Sequence, residues 1–420
     1  MFFVIRGVTS GPVSCTRAFR ASEAIASADD QFLCARRSDV TMTLAMNIPD
    51  RFESWRPFVW VFIPYYVRET GIESPEYDVP AFRAEVKSWF DRLGYEYAWT
   101  PVTIDNHTSV IDSLMPAHRE GRCAVLNLCD GSELDGSPGI TVVRALESAN
   151  IPFTGGSPFF FEITTHKVPL KARLLEHGVA TSPYVPLRTF PEDLRRIETE
   201  LGYPAFIKPE VSSGSSGISI KSRVTNAQEV MDRLATLLGG EDGEFYRTSG
   251  IYAERFIDGP EFTVFVVSDT SAPIGARAYP PVQRLFHSDL PAHERFLSFD
   301  RYWSEFKEES RLSPGQPFYR YGMAPEHLTG RLADLAERAY VALEGRSYGR
   351  VDIRLDEKAD ELFVLEVNAN CGLSGDSETS VGEMLLLSKI PVTQVITGML
   401  RDALDRAVAN GYAPAGRQSS

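Results

Sequence analysis

Two segments constrain the fold of this chain more than any others: Gly349-Arg350-Val351-Asp352-Ile353-Arg354-Leu355-Asp356 and Leu362-Phe363-Val364-Leu365-Glu366-Val367-Asn368. Both alternate or run apolar with β-branched and aromatic residues, and the polar Asp356-Glu357-Lys358-Ala359-Asp360 between them is a turn signal. The pair reads as a β-hairpin. Strand side chains have a period of two, so Asp352 faces away from Val351 and Ile353, while Glu366 and Asn368 share a face. Pairing the strands therefore brings two carboxylates and an amide oxygen together. Such hard oxygen donors suit Mg²⁺ when phosphates and water complete its octahedron. The alternative, two acids on a solvated face, sits poorly with Leu-Glu-Val-Asn inside an apolar run, where an unpaired carboxylate is costly.

A length of 420 residues suggests two or three domains, and 43% hydrophobic residues are ample for a core. The net charge of −14 argues against nucleic acid or an anionic membrane as the main partner, so an anionic ligand needs locally placed Lys and Arg. The apolar run Phe58-Val59-Trp60-Val61-Phe62-Ile63 is far too short to span a bilayer. Five cysteines without pair spacing or neighbouring His form neither a disulfide framework nor a zinc site. A soluble, reducing, cytoplasmic setting is expected. The first 22 residues hold Arg6, Arg17, Arg20, several Ser and Thr and no acid, a composition weakly like an organellar transit peptide. A disordered or non-native start explains them better.

Five regions are expected. Residues 1–55 are an extension with a helix near 16–27, and 56–152 an N-terminal parallel α/β domain. Residues 153–243 form a central subdomain, 244–406 a C-terminal one, and 407–420 a frayed tail. In the second region a buried strand at Pro57 leads to helix 81–93, ended by Gly94 as a C-cap. A strand at 95–102, a helix at 108–120, a strand at 124–128 and a helix at 139–149 complete the alternation of a parallel sheet. Asp130-Gly131-Ser132 follows a strand's carboxyl end, where open α/β sheets meet ligands. The central region offers a helix with Lys167 and Lys171, a helix at 191–201, a strand at 205–209, a Ser/Gly loop at 212–217, a strand at 218–222 and a helix at 226–238. Further on come strands at 252–257 and 261–267, an aperiodic stretch at 280–325 whose length suggests function, a helix at 328–343, the hairpin and helices within 378–406.

Small residues in Ser212-Ser213-Gly214-Ser215-Ser216-Gly217 let backbone N–H groups approach phosphate oxygens, and Lys208 on the preceding strand adds a point charge. Its Lys precedes the glycines and no helix follows, so the loop is a flap between strands. Lys167 and Lys171 taken alone read as solvated helix charges, and Glu254 and Glu261 as edge-strand charges.

In their joint order these elements resemble the ATP-grasp carboxylate–amine ligases, and most of all D-alanine–D-alanine ligases, over roughly residues 120–400. The resemblance rests on Ile151-Pro152-Phe153-Thr154-Gly155-Gly156, Lys167, Phe206-Ile207-Lys208-Pro209 and Ser213-Gly214-Ser215-Ser216-Gly217-Ile218. It continues through Ala253-Glu254-Arg255-Phe256-Ile257-Asp258-Gly259-Pro260-Glu261, Gly349-Arg350-Val351-Asp352, Leu365-Glu366-Val367-Asn368 and Gly372. It implies an α/β chain, α+β in its C-terminal half: an ATP-grasp fold holding nucleotide between two α+β subdomains. Lys167 and Lys208 would bind ATP phosphates, with Ser215 and Ser216 closing over them. Glu254 would meet the adenine amino group, Arg255, Phe256 and Ile257 would line the hinge, and Glu261 would meet the ribose. Asp352, Glu366 and Asn368 would ligate two Mg²⁺, with Mn²⁺ as a substitute. Arg350, the Gly372 amide and Ser216 would serve the chemistry. The implied partners are a small carboxylic acid and an amine, and a homodimer is compatible with the family.

Three departures stand out. The family's early acidic residue for the first substrate's amine is replaced by Phe62-Ile63-Pro64-Tyr65-Tyr66-Val67-Arg68-Glu69, where Glu69 is a displaced equivalent at best. Ser377 falls where the family's carboxylate-binding Ser would, but Asp376 and Glu378 beside it suit a cation. The loop at 296–303 lacks the family's Lys-Tyr pair. These point away from D-alanine itself. The expected activity is ATP-dependent amide or peptide bond formation through an acyl phosphate. The competing readings are ligation of an amino acid to a non-amino-acid scaffold in specialised metabolism and a non-catalytic ATP-binding regulator.

Overall fold

A computed structural model describes residues 55–415 apart from 134–135, 190, 213, 303–308, 314 and 377–378, all within the compact unit Arg51–Ser420. The expected helix near 16–27 and the transit-peptide-like start lie outside the described residues.

The N-terminal sheet is parallel, ordered Tyr97–Val102, Phe58–Pro64, Cys123–Asn127. Its middle strand has Val59, Val61, Phe62 and Ile63 fully buried, which is why that strand reads as an unbroken apolar run. Helix Pro80–Leu93 starts on a proline, whose missing N–H costs nothing there, and buries Val86, Trp89 and Phe90. Gly94 ends it in the left-handed region at φ 67°, its N–H bonded to the Phe90 carbonyl at 2.9 Å. Helices His107–Arg119 and Ile140–Ser148 complete the alternation.

Both expected ends of the folded region need correction. Trp55, placed in the extension, is buried and donates from its indole N–H to the Gly121 carbonyl at 3.2 Å. The tail expected to fray from 407 continues helix Val392–Ala409, and beyond it Tyr412 is buried with its phenol on the Cys123 carbonyl at 3.2 Å. The apolar face of this helix (Val395, Met399, Leu400, Leu404) shares one core with Val59, Val61, Trp89 and Phe90.

A four-stranded antiparallel sheet follows, ordered Tyr184–Leu187, Ile251–Arg255, Ala205–Pro209, Arg223–Val224, and helix Ala227–Gly239 packs Val230, Leu234 and Leu237 into its core. The expected boundary at 243/244 would cut this sheet, since Ile251–Arg255 pairs with strands on either side of it. The expected strand at 218–222 is instead a 3₁₀ turn, Ile220–Ser222, ahead of the two-residue strand Arg223–Val224. Ser219 Oγ accepts from Lys221 N at 3.2 Å and Ser222 Oγ from Ser219 N at 3.1 Å, so local caps displace ladder bonds.

The largest sheet is ordered Tyr319–Met323, Val282–Phe286, Glu261–Ser268, Tyr348–Asp356, Glu361–Ala369, with Ala276–Ala278 also on Glu261–Ser268. Two of its strands come from the stretch expected to be aperiodic; their Arg, Gln and Tyr content hides the period. One face packs Val264, Val266, Val351 and Ile353 against Phe160, Leu170, Leu174, Leu332 and Leu335. These come from helices Pro158–Thr165, Lys167–Glu176 and Glu326–Ala342, so residues 158–176 pack with this sheet although they fall in the expected central region. Among the described residues no helix is long and apolar enough to cross a membrane.

Candidate active site

The opposite face of the large sheet lines a cleft of about 490 Å³, together with the Ser/Gly flap and the 371–380 loop. Strand periodicity organises it in rows. Arg350, Asp352 and Arg354 alternate along one strand and face Phe265, Thr263 and Glu261 on the next. Across the hairpin, Arg350 opposes Asn368 and Asp352 opposes Glu366. A bulge follows, after which Ile353 pairs with Val364. Leu365 is the extra residue, and it lines the cleft.

The expected hairpin thus assembles its donors. Asp352 Oδ1 accepts from Thr263 Oγ1 at 2.9 Å, while Oδ2 accepts from Arg350 Nη2 at 3.0 Å and Asn368 Nδ2 at 3.2 Å. Burial opposes ionisation of Glu366, but Lys167, Lys208 and Arg350 outweigh it and hold the carboxyl below its usual range. Burial likewise opposes the Arg350 charge, and Asp352 overrides it, raising the guanidinium's pKa further. Among the described residues no three His, Cys, Asp or Glu side chains converge on one point. Two carboxylates and one amide fit a divalent ion whose remaining ligands are phosphate oxygens and water.

Lys167 and Lys208 both reach the cleft. Lys167 Nζ lies 3.7 Å from Glu366 Oε2 and donates to the Ser212 carbonyl at 2.9 Å, tying the Asp352/Glu366 face to the base of the flap. Lys208 Nζ is 2.6 Å from Glu254 Oε1. The expectation of a solvated Lys171 is wrong: it is fully buried, 2.8 Å from Glu254 Oε2, and donates to Thr181 and Ser182 hydroxyls at 3.0 and 2.8 Å. Glu254 is no edge charge either. Burial works against its ionisation, yet Lys171 and Lys208 drive its carboxyl down to about 2. Its side chain is committed to these lysines and Ser182.

Glu261 is held in the same manner by arginines. Arg284 Nη1 bonds Oε1, and Arg354 Nε and Nη2 bond Oε2 at 3.1 and 2.9 Å. Burial, with Arg284 beside it, lowers the Arg354 pKa to about 10. Phe206, Phe256 and Phe296 pack together nearby, with Phe206 and Phe256 stacked at 5.8 Å. They give the cleft an aromatic slot of the kind a purine uses. Ile257 is buried beside it and Arg255 turns toward Asp356 at 3.5 Å.

In the flap, Gly214, Ser215 and Gly217 take φ of 53°, 62° and 70°, and Ser216 Oγ lies 3.2 Å from the Tyr246 phenol. Gly372 borders the cleft and its loop is tied to the N-terminal domain: Glu85 accepts from Ser374 Oγ at 2.8 Å and Gly375 N at 2.6 Å. Asp376 is exposed there, while Ser377 and Glu378 lie outside the described residues. Glu69 is exposed on the small hairpin Tyr66–Arg68/Gly71–Glu73 and does not line the cleft, so it is no equivalent of the family acid. Sequence reasoning missed Lys171, Thr263, Leu365, Arg284 and Arg354 as site residues. Arg354 and Thr263 had a signal, each two positions from a predicted site residue (Asp352 and Glu261) on the same strand face.

Residues 174–381 match the family model described as D-ala D-ala ligase C-terminus. The D-alanine--D-alanine ligases of Bordetella petrii and Bordetella pertussis are each 28% identical over 237 residues, 56% of this chain. The chain spans 64% and 66% of those relatives' lengths. Among solved structures, D-alanine--D-alanine ligase from Bacillus anthracis complexed with ATP superposes with a TM-score of 0.56 at 17% identity, covering 85% of this chain and 100% of that one. The biotin carboxylase–beta-gamma-ATP complex from Campylobacter jejuni gives 0.56 at 14%, covering 81% of this chain and 70% of that one. The fold is the ATP-grasp fold.

Proposed function

Starting from an ATP-grasp chain most similar to the D-alanine–D-alanine ligases, we propose that this protein joins a small carboxylic acid to an amine at the expense of ATP. The observation that carries this is the face on which Arg350, Asp352, Glu366 and Asn368 meet, with Lys167 across from Glu366.

The reaction needs two anions brought together in line and neutralised, with no covalent bond to the protein. Lys167 and Lys208 supply cations for the phosphates, and the small residues around Ser215 and Ser216 let the flap close on them. The aromatic slot takes the base. Because the Glu254 and Glu261 carboxylates are already engaged, their part in holding the nucleoside is to position neighbouring backbone and cations. Asp352, Glu366 and Asn368 would hold Mg²⁺, two ions in our reading, which neutralises charge on the terminal phosphates when bound. A substrate carboxylate oxygen attacks the γ-phosphorus and ADP departs, leaving an acyl phosphate. The amine nitrogen then attacks the acyl carbon, phosphate leaves, and the nitrogen loses its proton. Arg350 and the Gly372 amide stabilise the oxygen that gains charge in that second step.

The test uses the full chain with ATP, Mg²⁺ and a panel of amino acids, other small acids and amines. One ADP and one phosphate per amide are expected. Glu366→Gln should cut ADP release about a hundredfold or more while ATP still binds. No ADP release across the panel, or an undiminished variant, refutes the ligase.

A further inference from the structure

We propose that Arg284 is an oxyanion-binding residue of the cleft, placed to take a terminal phosphate of the nucleotide or a carboxylate of the acid substrate. The proposal deepens the ligase reading, since it names what the far wall of the same cleft recognises.

Arg284 stands on strand Val282–Phe286, in register with Glu261, and its side chain lines the cleft. From Asp352 it is two strands across and two residues along, which puts the two Cα atoms on the order of 12 Å apart. An extended arginine side chain reaches well into that gap. Arg284, Glu261 and Arg354 are only 7%, 7% and 4% exposed. Two guanidinium groups thus share one carboxylate away from bulk water, and the surplus positive charge faces the cleft.

The donor count agrees. A guanidinium carries five N–H groups. Arg284 uses Nη1 on Glu261 and Nη2 on the Tyr321 phenol at 2.9 Å, and its buried Nε has no partner among the described residues. The Tyr319 and Tyr321 rings lie 5.1 and 5.5 Å from its Cζ and hold the planar group in place. Lys171, equally buried, behaves differently: Thr181, Ser182 and Glu254 occupy all three of its N–H groups. Arginines elsewhere, Arg301 and Arg346 among them, also leave a buried Nε unpaired among the described residues; what sets Arg284 apart is its place on the cleft wall, where it and Arg354 divide one carboxylate between two guanidiniums.

Binding to the full chain, without turnover, decides the matter. Calorimetric titrations would compare wild type, Arg284→Gln and Arg284→Lys with ATP and ADP in Mg²⁺. A second series would use the common amino acids and D-alanine in the presence of a non-hydrolysable ATP analogue. If Arg284 meets the terminal phosphate, Arg284→Gln weakens ATP at least tenfold and ADP less than twofold. If it meets the substrate, both nucleotides bind as before and the best-bound acid weakens at least tenfold. In either case Arg284→Lys recovers part of the loss, because it restores the charge without the planar fork. Affinities all within twofold of wild type overturn the proposal, as does an equal loss for ATP, ADP and acids. Should Arg284→Gln not fold, Arg284→Lys decides alone by the same ratios. A wild type that binds through Arg284 yet releases no ADP with any acid–amine pair overturns the ligase reading and leaves this one standing.

Discussion

Two buried glutamates on successive strands, Glu254 and Glu261, face the same cleft from different sheets, and each is gripped by two cations. Around Glu254 the cations are lysines, compact point charges, and the remaining N–H groups of Lys171 go to the Thr181 and Ser182 hydroxyls. Around Glu261 they are arginines, planar forks laid over Tyr319, Tyr321 and Phe256. An ammonium can change partners by a small rotation, so Lys208 is able to exchange Glu254 for a phosphate. A stacked guanidinium holds its geometry and offers whatever donors are left over. One cluster is suited to move with the flap, the other to stay fixed while a ligand arrives.

The largest effect that would break this contrast lies at Glu261. Glu261→Gln leaves two buried guanidiniums without their carboxylate and should cost about 3–5 kcal/mol of unfolding free energy. A urea titration showing a loss below about 1 kcal/mol would mean that water already solvates the pair. At Glu254 the signature is pH dependence. A carboxyl ordinarily at 4.5 and held at about 2 in the fold binds its proton more readily in the unfolded chain between those values. Stability therefore rises with pH across that window. The contribution, roughly 3 kcal/mol, is fully present above 4.5 and lost as the pH falls toward 2. Glu254→Gln should flatten this slope; an unchanged slope would assign it to other groups. The smallest effect is expected at Thr263→Val, which removes one neutral donor from Asp352 and should cost about 1 kcal/mol, read in the same urea experiment.

Much of the fold was legible because local rules and tertiary structure agreed. The hairpin at 348–369 alternates cleanly, and helix Pro80–Leu93 carries both its Pro start and its Gly stop. That Asp352, Glu366 and Asn368 meet on one face followed from the period of two alone. The rest was hidden by partners far away in sequence. Nothing local tied Arg284, inside the stretch expected to be aperiodic, or Arg354 to Glu261, the carboxylate they share from a neighbouring strand. Lys171 looked solvated because its partners, Ser182 and Glu254, lie outside its own helix. Leu365 turns inward only because a bulge interrupts the register, and no local residue type announces it. The boundary at 243/244 failed for the same reason, since strand Ile251–Arg255 pairs backward across the flap and not forward with its neighbour.

The Gly121 carbonyl accepts from the Trp55 indole and also from the Ala415 backbone N–H at 2.9 Å. One peptide oxygen near the edge of the parallel sheet thereby fastens both margins of the described fold. On the ribosome, strands Phe58–Pro64 and Cys123–Asn127 emerge long before helix Val392–Ala409, which covers their apolar face. The parallel sheet is therefore synthesised well before the helix that closes its core, and until then its greasy side has only transient company.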